Sequence, residues 1–382
     1  MTGSDMQGSP EHITVATTDL NAYKRNIVKI ISFVGDSVKV MAVVKANGYG
    51  HGMVECARTA LEAGVDILGV AYAYEGIALR DAVITAPILV MASDQLDSLS
   101  TMVDYNLTIS LTSFEMLENL KKELSSRNGT CRIHVKVDTG MGRLGIQPEK
   151  TAELIETAGN IPGITVEGIF THFPSADEDM DSFSLKQIKK FSDILENLSN
   201  RGLRPPIAHM CNSAGTLKFP GAHFDLIRAG IMTYGLIPFP GSQEILEVEP
   251  VLSWKSRICF IKEVPVGFTV SYGSTFITER PSRLATVPIG YADGYKRLLS
   301  NRGKAIVNGV AVPVAGRVCM DQTVFDITDA GDVRIGDPII LIGKQGDARI
   351  TAEDHAEIAG TITHEIVTGI SGRVSRTFVK TS

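Results

Sequence analysis

From about residue 37 onward, short apolar runs alternate with longer amphipathic stretches. The runs are SVKVMAVVKA (37–46), DILGVAY (66–72), PILVMA (87–92), TISLT (108–112), RIHVKVDTG (132–140), TVEGIFTH (165–172), IAHMCNS (207–213) and FDLIRAGIMTYG (224–235). Most are short and rich in β-branched residues, as strands buried on both faces are. The stretches between them carry the helical period, as in MVECARTALEAG (53–64), SFEMLENLKKEL (113–124) and SLKQIKKFSDILENLSNRG (184–202). The last two open on a Ser suited to an N-cap, and the last closes on Gly202. Eight strand-like runs with helical crossovers predict an α/β fold, a (β/α)8 TIM barrel. A doubly wound open sheet is the alternative, because periodicity does not register closure.

After about residue 240 the rhythm changes. PFPGSQ (238–243) reads as a boundary, and strands without long crossovers follow at 251–264, 283–292, 304–316 and 337–343. An Asn-Gly pair at 308–309 predicts a hairpin turn, and Thr351 is placed to cap a short helix over 351–360. The chain is therefore expected to hold a barrel over 14–240 and a C-terminal mostly-β domain over 241–382, with residues 1–13 packing on the latter.

Composition narrows the functional classes. The chain has 382 residues, 37 basic and 43 acidic side chains and a net charge of −6. Without a basic run, nucleic acid and anionic membranes are not expected partners. No apolar run approaches the ~20 residues of a spanning helix. The five cysteines form no C-x-x-C pair, which argues against a disulfide framework or a cysteine-rich metal site. The first residues lack the pattern of a signal peptide, so a cytoplasmic protein is expected. The eight histidines include no H-E-x-x-H, no metal is expected, and no G-x-S-x-G elbow appears.

In a barrel, chemistry collects at the carboxyl ends of the strands. Lys45 ends the first run, where partial desolvation would lower its pKa and suit it to Schiff-base chemistry, a surface lysine being the bland alternative. Lys136 with Arg143, His172, Asn212 with Ser213, and Arg228 with Gly230 occupy the matching positions on other strands. Arg228-Ala229-Gly230-Ile231 lies within the eighth run, at the end of its strand, where barrels commonly bind phosphate. A phosphorylated, anionic ligand beside an amine-bearing lysine fits pyridoxal phosphate.

AVVKANGYGHG (42–52), DTGMGRLG (138–145), THFPSAD (171–177), CNSAGT (211–216), RAGIMTYG (228–235), SYGSTF (271–276), GYADGY (290–295) and GRVCMDQ (316–322) resemble the motifs of the alanine racemase family, in one order over nearly the whole chain. The resemblance implies a pyridoxal-phosphate barrel followed by a β domain, a head-to-tail homodimer, and isomerase activity that supplies D-alanine for peptidoglycan. It implies that Lys45 holds the cofactor and acts as one base, and that Tyr272 from the partner chain is the other. It further implies that His172 links Tyr272 to Arg228, that Arg228 faces the pyridine nitrogen, and that Arg143 meets the ring oxygen and the substrate carboxylate. Tyr49, Asn212, Ser213, Gly230 and Ile231 would hold the cofactor, Met320 would meet the substrate, and Tyr291 and Asp321 would line the entrance. Lys136 matches a lysine that many family members carbamylate, an ordinary lysine paired with an acid being the alternative. Gly372 stands where the family commonly has an aromatic residue, which opens space beside the substrate side chain and predicts that serine is accepted beside alanine. A non-catalytic pyridoxal-phosphate carrier and a related barrel decarboxylase are the competing readings.

Overall fold

The computed structural model describes residues 13–92, 98–178 and 181–381. It divides into two units, one of Leu20–Pro250 with Thr381, the other of the residues up to Asp19 with Val251–Lys380.

The first unit is built on eight parallel strands, Lys39–Val43, Ile67–Val70, Ile88–Val90, Thr108–Leu111, Cys131–Lys136, Ile164–Phe170, Ile207–His209 and Leu226–Ala229. Each falls within one residue of the eight predicted runs. They pair in sequence order, and the eighth pairs with the first. The remaining seam, between the seventh and eighth, is joined by Asp225 N–H donating to Ala208 O at 3.0 Å and Arg228 N–H donating to Cys211 O at 3.0 Å. The sheet thus closes, which excludes the open doubly wound alternative. Met41, Ile67, Leu89, Ile207 and Leu226 pack together inside the barrel. This apolar layer near the strand starts leaves the carboxyl ends for polar residues.

Two predicted helix starts differ in outcome. Ser113 caps Phe114–Arg127 by accepting from Met116 N–H at 3.1 Å. The helix expected from Ser184 instead runs Asp181–Asn200, with Ser184 buried on its inner face; the Ser is a packing residue, because the amphipathic period extends upstream of it.

The second unit is β-dominated. Its largest sheet runs in the order Val310–Pro313, Lys304–Val307, Pro338–Gln345, Leu252–Arg257, Val15–Asp19, Ser375–Val379. The barrel expected from residue 14 therefore starts later, since Val15–Asp19 is held between Leu252–Arg257 and Ser375–Val379. Residues 1–12, expected to pack on this domain, lie outside the described residues. The single strand predicted over 251–264 is two, the second, Phe260–Val264, belonging to a separate three-stranded sheet. Asn308 and Gly309 adopt φ of 50° and 76° and turn the predicted hairpin. Thr351 caps Ala352–Ala359, with Asp354 completing a reciprocal capping box. Among the described residues, no helix is long and apolar enough to cross a membrane.

Candidate active site

The chain leaves the first strand into Lys45 and then turns left-handed. Ala46, Asn47, Gly48 and Tyr49 have φ of 52°, 54°, 61° and 51°. This conformation costs roughly 1–2 kcal/mol for each non-glycine residue, so the surroundings must enforce it. Glu75, buried on the neighbouring helix, accepts from Ala46 N–H at 2.6 Å and from Ala71 and Tyr72 N–H at 2.7 and 3.2 Å. Asn47 Oδ1 accepts from Met53 N–H at 3.0 Å. The loop that aims Lys45 is thus tied to the second strand by one buried carboxylate. Glu75 was not legible as a site residue, because nothing in its local pattern separates it from an ordinary helix N3 glutamate.

Four cationic side chains and a histidine share the barrel mouth. Burial, then Arg143 and Arg228, pull the Lys45 amine below the usual lysine range, opposed by Glu75. Lys136 is pulled down to about 8 by burial and by Arg143, Arg228 and Lys45. Its Nζ donates to Met91 O at 3.4 Å and lies 5.3 Å from the Phe170 ring centre. Asp138 acts on its pKa in the opposite direction, and among the described residues no carboxylate hydrogen-bonds the amine.

Arg228 is 4% exposed. Its guanidinium donates to His209 Nδ1 at 2.9 Å, His172 Nδ1 at 3.0 Å, Thr171 O at 2.9 Å and Met210 O at 2.8 Å. All four acceptors are neutral groups. Burial, then Arg228, drives His172 well below the usual histidine range. The ring is therefore neutral, and since arginine only donates, its proton sits on Nε2. Arg143 follows the fifth strand in a loop ordered by Asp138, which accepts from Gly140 and Gly142 N–H at 2.9 and 3.0 Å.

A cradle lies beside this group. Ser213 Oγ accepts from Gly230 N–H at 3.0 Å. A Cβ at Gly230 would lie 2.8 Å from Tyr49 Oη and 3.8 Å from Ser213 Oγ, so the space those hydroxyls face exists because residue 230 has no side chain. Asn212, expected to touch the cofactor, turns its Oδ1 to the Gly215 N–H at 2.9 Å and caps the short helix behind Ser213. Ile231 is buried and opens the turn Ile231–Tyr234. Tyr49 stacks on Tyr234 at 5.0 Å, and Tyr234 Oη donates to Val43 O at 3.0 Å. These contacts tie the cradle to the first strand.

The remaining predicted residues lie on the second unit. Tyr272 is 71% exposed on a turn between the short strands Thr269–Val270 and Phe276–Ile277. Ser271, Gly273 and Ser274 around it have φ of 63°, 71° and 49°. Ser271 Oγ anchors the turn by donating to Arg317 O at 2.6 Å. Strain of this kind concentrates at functional positions. Tyr291 N–H donates to Cys319 O and Ala292 N–H to Met320 O, both at 3.0 Å, while Arg373 pairs with Asp321 at 2.8 Å and Asp293 at 3.2 Å. A Cβ at Gly372 would meet nothing within 4 Å.

The first unit defines the class: an enzyme barrel that sets a desolvated amine at the strand ends, near a cradle kept open by Gly230. The family model "Alanine racemase, N-terminal domain" matches residues 18–238, and "Alanine racemase, C-terminal domain" matches residues 251–378. The chain is 42% identical over 365 residues to the alanine racemase of Halothermothrix orenii, covering 96% of each chain. It is 40% identical over 370 residues to that of Methanococcus maripaludis, covering 96% of this chain and 99% of the relative. The crystal structure of the Bacillus anthracis alanine racemase with bound L-Ala-P superposes with a TM-score of 0.92 at 37% identity, over 98% of this chain and 96% of that one. The chain belongs to the alanine racemase family, whose members are isomerases.

Proposed function

We propose that the protein interconverts L- and D-alanine with pyridoxal phosphate as cofactor, using two bases, Lys45 and Tyr272, the latter supplied by the partner subunit of a homodimer. The residues present fit the cofactor. Tyr49, Ser213, Gly230 and Ile231 would hold its phosphate, Lys45 would hold it covalently, and Arg228 would face its ring nitrogen. When bound, pyridoxal phosphate withdraws electrons from the substrate Cα and makes the hydrogen there acidic.

Racemisation needs a proton taken from one face of Cα and one returned to the other, hence two opposed bases. Burial beside Arg143 and Arg228 pulls the Lys45 amine below its usual range, which favours the form able to accept a proton. His172, with its proton fixed on Nε2, has a donor to offer the Tyr272 oxygen. The observation that carries this reading is the donor-only Arg228 with four neutral acceptors. Because an arginine only donates, Arg228 would take no proton from the ring nitrogen it faces, a setting that would favour returning a proton to Cα over transamination or decarboxylation. The exposed, anchored Tyr272 turn argues against a carrier, which needs no second base. Arg143 would hold the substrate carboxylate with the Met320 backbone, and Tyr291 and Asp321 would line the entrance. The proposal extends to a cytoplasmic enzyme whose D-alanine would supply peptidoglycan.

The direct test incubates the purified, cofactor-loaded chain with L-alanine and separately with L-serine, followed by chiral chromatography. D-Alanine formation is expected; no inversion of either, despite bound cofactor, contradicts the proposal. Since space beyond Gly372 is open, Gly372→Tyr is expected to fold normally and to lower serine turnover relative to alanine by about 10-fold, the scale of one small group in an apolar pocket. An unchanged ratio sinks the pocket argument.

Gly230→Ala is expected to weaken pyridoxal phosphate binding by at least about 10-fold, because the new Cβ crowds Tyr49 Oη and overpacking costs ~1–3 kcal/mol. Fluorescence titration of the cofactor checks this.

Lys136 is the site proposed for carbamylation. Its neutral amine attacks the carbon of CO2, a C–N bond forms, one C=O electron pair moves to oxygen, and the nitrogen releases a proton. The product carries a negative charge among Lys45, Arg143 and Arg228, which stabilises it. With the amine pulled to about 8, its neutral fraction rises as pH passes through that value. A carbamate signal in 13C NMR with labelled bicarbonate is expected, absent in Lys136→Ala.

A further inference from the structure

A line of four side chains runs from the barrel mouth into the barrel wall. Arg228 Nη1 lies 2.9 Å from His209 Nδ1, His209 Nε2 lies 2.9 Å from His134 Nδ1, and His134 Nε2 lies 3.3 Å from Glu167 Oε2. The fold makes room for it. Strand pairing passes from Ile133–Val166 to His134–Gly168, so Glu167 is the extra residue of a bulge, a device that re-aims a side chain. A Cβ at Gly168 would lie 2.4 Å from the His134 ring, so only glycine fits there. Phe170 stacks on His209 at 4.9 Å with an interplanar angle of 1°.

The polarity of the line is forced. Arginine only donates and an ionised carboxylate only accepts. His209 Nδ1 therefore accepts and its proton sits on Nε2; His134 Nδ1 accepts from it, and that ring's proton sits on Nε2 and is donated to Glu167. An imidazolium at either position would set two N–H groups against each other. Burial acts in the same direction, pulling both histidines below their usual range, while the bond from His134 holds Glu167 below the usual carboxylate range.

We propose that Glu167 is a positioning residue for the reaction: through His134 and His209 it fixes the Arg228 guanidinium and supplies its distant negative counter-charge. This rests on the reading of Arg228 as the group that faces the cofactor ring. Hydrogen bonds in a chain polarise one another, so the carboxylate makes His134 and then His209 better acceptors. Arg228 is thereby held as a cation and aimed, in a place where its other acceptors carry no charge. Arg132 and Lys39 also act on Glu167 and compete for its charge from outside the line.

The test uses the full-length, cofactor-loaded protein labelled with 15N-histidine. Ring NMR signals of His134 and His209, assigned with His134→Asn and His209→Asn, are expected to show neutral rings protonated at Nε2 with strongly deshielded protons. Glu167→Gln keeps an acceptor oxygen and removes the charge. It is expected to keep both tautomers, move both Nε2 protons upfield, and lower kcat for alanine by about 2- to 30-fold with KM within about twofold. Glu167→Asp, which restores the charge, is expected to recover part of kcat. A proton on Nδ1 of either ring in the native protein overturns the proposal, as does Glu167→Gln with unmoved ring signals or unchanged kcat. If the native protein racemises no alanine, the functional reading fails separately, and the tautomers and their response to Glu167→Gln still decide whether the line couples.

Discussion

Replacing Lys45 with alanine is expected to lower kcat by at least about 10^3-fold, since one side chain is lost both as a base and as the covalent hold on the cofactor. The fold should survive. Lys45 is half-buried beside Arg143 and Arg228, which oppose its charge, so its removal relieves repulsion and opens no core cavity. The phosphate cradle of Tyr49, Ser213 and Gly230 remains, so pyridoxal phosphate should still bind, but exchangeably. Lys136 should titrate above about 8 in this variant, because Lys45 is one of the cations that depress it. Dialysis of the cofactor, circular-dichroism melting and titration of the remaining amine check the three statements. A variant that keeps substantial racemisation removes Lys45 from the site.

Tyr272→Phe is the second large effect. It deletes only the hydroxyl proposed as the opposing base, and kcat for racemisation should fall by about 10^2- to 10^4-fold. The aromatic ring is kept and only one oxygen is lost, so the melting temperature should stay within about 2 °C of the native value. The defect should be one-sided. Lys45 still removes and returns a proton on its own face, so one enantiomer of alanine should exchange its Cα hydrogen with solvent while failing to invert. Loss of exchange with both enantiomers would make Tyr272 a binding residue and not a base.

The barrel was legible because each of its eight strands is a short apolar run bounded by a helical period, and the strand-end residues Lys45, Lys136, His172, Ser213 and Arg228 follow from that placement. Pairings between distant segments were not legible. Val15–Asp19 and Ser375–Val379 join only in space, and no local pattern assigns the first of them to the C-terminal sheet. The run at 251–264 reads as one strand because its apolar period hides the change of sheet at residues 258–259. Asn212 carries a structural task that the motif did not reveal, its carbonyl oxygen accepting from Gly215 N–H to cap the helix behind Ser213. His134 and His209 sat inside apolar strand runs, where a histidine looks like a satisfied core residue. Their significance comes from Gly168 and the bulge at Glu167, features of register and not of composition.

The measurement that tests the two-base account most directly is turnover of L-alanine by the loaded enzyme in heavy water, with the isotopic content of each enantiomer read at low conversion. With Lys45 and Tyr272 on opposite faces, the proton removed by one is not the proton returned by the other. D-Alanine should therefore carry deuterium at Cα from the first turnovers. Product that retains the substrate's own protium would mean that a single group carries the proton across, and would contradict the account.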